Sequence, residues 1–185
     1  MNATPNRRKI VLGVIAATAM PRLPGFKTAA QAQDEAGLAN RFQDLSQNGN
    51  ATCSPKFTAS IATMPPMTRI KGSCCSPMEM KRYTEQVKGL VKYRVIAMIP
   101  QDPYDIPAVT AQQMIHYYDR QLTADEQRRY DFALANSNEK GPCCCQCWRW
   151  SVYGGLAKYL IREHGFTGEQ IVDVWNLSDG CGGGE

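Results

Sequence analysis

Histidine is almost missing from this 185-residue chain, which has two, so a histidine-rich metal site is excluded. No basic field is available for nucleic acid or acidic lipid either. Five basic residues (Arg7, Arg8, Lys9, Arg22, Lys27) precede residue 33 and all 17 acids follow it. Residues 33–185 therefore carry sixteen basic against seventeen acidic side chains, a net charge of −1, which argues against a nucleic-acid partner. Long apolar runs are absent too. Ile10–Met20 is the longest reading of one, well short of the roughly 20 residues that span a bilayer. There is no internal repeat and no serine or carboxylate constellation of a hydrolase, so nothing points to an enzyme of that kind. Gly182-Gly183-Gly184 lacks the Lys-Ser/Thr and the following helix of a phosphate loop.

Cysteine is what the chain has in quantity: eight, all after residue 50. That is too many to be incidental and too few for a scaffold made mostly of disulfides. The first 32 residues read as a cleavable signal, leaving 33–185 as one domain of ordinary size. Arg7-Arg8-Lys9 precedes the short apolar stretch, and Ala30-Gln31-Ala32 offers the small side chains a signal peptidase reads, predicting a mature start at Gln33. Asn6-Arg-Arg-Lys-Ile-Val-Leu, with Arg22 and Lys27 near the cleavage point, resembles a twin-arginine signal, although Ile10 stands where such signals often carry Phe. The resemblance covers this peptide alone. It implies a periplasmic or secreted protein that crosses already folded, its thiolates protected by metal before an oxidising compartment is reached.

Periodicity predicts an all-α fold, a single compact bundle of five or six helices with no membrane span in the mature chain. The first helix is expected over Gln33–Gln47, with Leu38, Phe42 and Leu45 on one face, and Asn48-Gly49-Asn50 stopping it. Residues 51–73 read as irregular. Ser76-Pro77-Met78-Glu79 reads as an N-cap, a first-position proline and a capping glutamate, opening a helix with Met80, Tyr83, Val87 and Leu90 in one stripe. Leu90–Ile99 is ambiguous between helix and strand; the lack of an evident partner strand favours helix. Further helices are expected over Val109–Leu122, from Thr123 to Asn136, over Cys147–His164 with Gly165 as left-handed cap, and from Thr167 onward.

Cysteine positions carry the functional signal. Cys74 and Cys75 precede the Ser76 start; Cys143, Cys144, Cys145 and Cys147 lead into the clearest helix; Cys181 lies among glycines in the tail. Helix starts stabilise thiolate over thiol. The leading reading is a transition metal held by Cys74, Cys75, Cys143, Cys144, Cys145, Cys147 and Cys181, with Cys53 left out as isolated. Sulfur ligands select Cu(I), Zn or an iron–sulfur cluster, and Met64, Met67, Met78 and Met80 near Cys74 tilt the choice slightly to Cu(I). A metal-donor or redox protein would be its partner.

Two alternatives stand beside it. Eight cysteines in an exported helical domain suit four disulfides. The pattern is loosely similar to the eight-cysteine lipid-transfer proteins of plants, but the order of the cysteines departs from theirs, and 105 pairings are possible. Cys144-Cys-Gln-Cys147 at a helix start also suits thiol redox chemistry, without the strand–helix–strand frame of thioredoxin. Of the remaining residues, Trp148 reads as a core anchor and Trp150 as half-buried, with Arg149 able to pair with a thiolate cluster. His116 reads as a core histidine on an apolar face, His164 as a helix-terminal cation. Gly154-Gly155 inside a helix predicts close approach of another backbone.

Overall fold

The computed structural model describes residues 29–182. The proposed signal, apart from its last four residues, lies outside the described residues. Seven α-helices and one two-stranded ribbon make up the described chain: α1 (Ala29–Gln47), α2 (Pro55–Ile61), β1 (Arg69–Lys71), α3 (Met80–Leu90), β2 (Asp105–Pro107), α4 (Ala108–Tyr118), α5 (Ala124–Asn136), α6 (Trp148–His164) and α7 (Gly168–Ser178). The all-α reading holds, and α2 is the helix beyond the six expected. No helix is long and apolar enough to cross a membrane among the described residues.

α6 is the axis of the molecule. Trp148, Val152, Tyr153, Leu156, Ala157, Leu160 and Ile161 are buried on more than one face, as a helix needs when others surround it. Its glycine pair has the expected function. A Cβ on Gly155 would sit 1.8 Å from the Met114 carbonyl oxygen, so only glycine lets α4 lie against α6. α5 and α7 close the other side, where the Tyr130 and Trp175 rings meet edge to face at 5.5 Å and Trp175 Nε1 donates to the Tyr153 carbonyl. Each fully buried large apolar side chain contributes roughly 1.5–3 kcal/mol relative to exposure.

Local chemistry explains the ends. Thr123 and Thr167 each close a capping box, with Glu126 and Gln170. Gly165 caps α6 at φ +66°. α1 joins through a second small core, Leu45, Tyr83 and Tyr104. There Asp102 is buried, taking hydrogen bonds from Tyr83 Oη and Tyr104 N and an ion pair from Arg41. Burial raises its carboxyl pKa, partly offset by those partners.

Six expectations are corrected. Residues 51–73 are not irregular: Ser54 accepts from Phe57 N and Pro55 takes the first turn of α2. β1 has a partner, β2, pairing antiparallel with Ile70 opposite Ile106, both buried. A three-residue ladder is too short to show in hydrophobic alternation. The α3 cap is Glu79, whose carboxylate accepts from Lys81 N and Arg82 N. Ser76 is used elsewhere. Leu90–Ile99 is neither long helix nor strand but a 3-10 turn over Val91–Tyr93 and further turns, while α4 stops at Tyr118, short of Leu122. His116 is exposed and lies 3.2 Å from Arg120, not in the core.

Candidate metal centre

Four separate stretches of chain bring all eight sulfurs to one end of α6. Cys53 directly precedes the Ser54 cap of α2; Cys74 and Cys75 follow the ribbon; residues 143–147 wind into α6, with Cys147 as its N-cap residue; Cys181 follows α7. Three consecutive cysteines do not point one way. Cys143 is buried, Cys144 exposed and Cys145 half-buried, because the turn wraps around the sulfur array rather than facing it from one side. Trp150 props this turn, its ring packed against Gly141.

The sulfurs form one continuous array. Cys53 Sγ lies 2.9 Å from Cys75 and 3.5 Å from Cys145. Cys75 lies 3.7 Å from Cys74 and Cys145 and 3.9 Å from Cys144. Cys181 lies 2.8 Å from Cys143 and 2.9 Å from Cys144, and Cys143 lies 3.8 Å from Cys147. All eight are free thiols. Triads whose sulfurs lie mutually within 4.8 Å share members: Cys53, Cys145 and Cys147; Cys53, Cys74 and Cys75; Cys74, Cys143 and Cys147; Cys75, Cys144 and Cys181. For comparison, sulfurs at the corners of a tetrahedron around zinc, each about 2.3 Å from it, stand about 3.8 Å apart.

The tail reaches the array by backbone pairing. Ser76 N and Ser76 Oγ both donate to the Cys181 carbonyl at 2.9 Å, and Cys74 N donates to the Gly180 carbonyl. Asp179 locks the approach: its carboxylate accepts from Cys181 N and pairs with Arg82, and its carbonyl accepts from Gln86. Gly182 stands at φ +102° against the Ser76 carbonyl. The glycines flanking Cys181 therefore serve the close approach that the sequence suggested.

Arg149 lies beneath the array, 1% exposed. It donates to the Pro103 and Gly72 carbonyls at 2.7 and 3.1 Å and stacks 4.5 Å from the Trp148 ring centre. Its Nε has no hydrogen-bond partner, and among the described residues no carboxylate pairs with it. Burial works against its charge, but Tyr153, Cys74 and Cys143 raise its pKa on balance. Within the array the thiols divide. Hydrogen bonds from Cys143 and Cys147 lower Cys74 to about 6, and those from Cys143 and Cys74 lower Cys181 to about 6. Cys143, which serves both, is pushed up. Burial pushes up Cys53, Cys75 and Cys144.

All seven cysteines singled out in the sequence meet here, and the eighth, Cys53, joins them. Its omission is corrected by a signal that was available. Cys53-Ser54-Pro55 and Cys75-Ser76-Pro77 are the same tripeptide, and the two sulfurs are 2.9 Å apart. Cys144 and Cys147 are drawn to different neighbours, Cys144 to Cys75 and Cys181, Cys147 to Cys143. Three of the four methionines stand aside: Met67 is open to solvent, and Met78 and Met80 pack on the α1–α3 core, while Met64 is half-buried against the main core. Comparison with protein-family models, with curated proteins and with solved structures finds no match.

Proposed function

We propose that this chain is an exported protein that binds thiophilic transition-metal ions through all eight cysteines, for holding and delivery rather than catalysis. The observation that carries the reading is the shared position of Cys181, 2.8 Å from Cys143 and 2.9 Å from Cys144. One sulfur cannot form disulfides with both, but a thiolate can bridge two ions. Overlapping triads favour several ions in one cluster over isolated mononuclear sites.

Charge argues in the same direction. A buried guanidinium without a carboxylate needs another anion. A thiolate cluster is one; four disulfides are neutral and would leave Arg149 uncompensated. Soft sulfur donors select Cu(I) or Zn from the candidates. An iron–sulfur cluster of four irons takes four cysteines around a body of sulfide, whereas these sulfurs touch one another. Export rests on the arginine pair and apolar stretch of residues 7–20.

The test is native mass spectrometry with elemental analysis on protein purified without chelators from the exported fraction. The expected result is more than one copper or zinc per chain with all eight cysteines reduced. A metal-free chain holding four disulfides would end this reading and establish the disulfide-stapled alternative.

A further inference from the structure

The eight sulfurs differ sharply in their access to water. Cys75 and Cys144 are exposed, whereas Cys143, Cys147 and Cys181 are 1%, 8% and 6% exposed. The two exposed sulfurs are neighbours, 3.9 Å apart, and share a triad with Cys181. An ion held there has two ligands within reach of solution. An ion held by Cys74, Cys143 and Cys147 has two buried ligands and a half-buried third.

Resting on the metal-binding reading above, we infer that the array loads and unloads at one edge, Cys75–Cys144, by ligand exchange with an incoming thiol. The partner's chemistry follows from the donor set. The triads named above are made of cysteine alone, so the array retains thiophilic ions, and a ligand of equal softness is needed to remove them. In each exchange a bond forms between the ion and the incoming sulfur as the ion–Cys75 bond breaks. The proton of the incoming thiol passes to Cys75, and no atom changes oxidation state. A second exchange at Cys144 leaves the ion on Cys181 alone, and a third frees it. The buried sulfurs keep the remaining ions, so the array empties from the outside inward.

The reduced full chain is loaded with Cd(II) and mixed with glutathione in one arm and with a Cys-x-x-Cys peptide in the other. Aliquots are quenched with N-ethylmaleimide and read cysteine by cysteine by mass spectrometry. Cys75 and Cys144 are expected to be labelled in step with the first Cd(II) lost. Cys143 and Cys147 should lag by at least about tenfold, equivalent to about 1.4 kcal/mol. This order in either arm supports the inference, and the faster arm identifies the source of the thiol. First labelling at Cys143 or Cys147, simultaneous labelling of all eight, or no transfer from a stably loaded chain overturns the exchange edge and leaves metal binding standing. A chain that takes up no Cd(II) overturns the metal-binding reading itself.

Discussion

Gly182 packs its Cα against the carbonyl of Ser76, so closely that a Cβ there would lie 1.9 Å from the oxygen. Through this contact a glycine-rich tail becomes part of the site. Ser76 N and Oγ hold the Cys181 carbonyl while Cys181 Sγ joins Cys143 and Cys144. The substitution Gly182→Val combines a clash with a disfavoured φ of +102°, a strain of about 1–3 kcal/mol. We expect the tail to leave its seat and bound metal to fall, with helix content unchanged. Elemental analysis beside far-ultraviolet circular dichroism checks this.

Arg149→Met removes the buried cation and leaves the Pro103 and Gly72 carbonyls without their donor. Each orphaned acceptor costs about 1–3 kcal/mol. The metal-loaded form should lose more than the reduced metal-free form, because its anionic array also loses a counter-charge. Urea denaturation of both forms measures the difference.

Gly155→Val forces a side chain into the Met114 carbonyl. Separation of α4 from α6 should cost about 1–3 kcal/mol or more, seen as a lower melting temperature. Gly37→Ala is the control, since a Cβ there meets nothing within 4 Å; it should be neutral or raise stability by about 0.4–1 kcal/mol.

In reduced, metal-free protein, the thiolate absorbance of Cys74 and Cys181 should persist at neutral pH and disappear as the pH falls through about 6. Their depressed pKa values make the thiolate form the one that stabilises the fold. That contribution is complete above the ordinary thiol value and lost on acidification. Cys143→Ala, which removes the thiol that lowers both, should move the midpoint upward.

Glu126 gives a second acid transition. Hydrogen bonds from Arg162, then the backbone of Thr123, hold its carboxyl at about 2. The latch between α5 and α6 is complete above the ordinary carboxylate value and weakens as the pH falls through about 2. Carboxyl-carbon NMR titration locates the midpoint, and Glu126→Gln abolishes the transition.

Where local chemistry decides structure, the sequence was easy to read. Thr123 and Thr167 declare their helices through capping partners three residues on, and Gly165 declares an end. The glycine pair at 154–155 announced close packing without naming α4 as the neighbour. The ribbon was hidden, because Ile70 and Ile106 pair across 36 residues with only three rungs. The Ser76 start misled for a related reason: its hydroxyl is engaged by Cys181, which leaves Glu79 to cap α3.

By itself the amino-acid order determined which groups were available: eight thiols, hardly any imidazole, helix starts beside most of the cysteines, and glycines around Cys181. Only tertiary packing decided that Cys181 sits between two cysteines and that Arg149 lies buried beneath them. Capping and periodicity act over a few residues, whereas meeting of sulfurs up to 128 positions apart depends on how α6 and α7 pack, which no local pattern encodes.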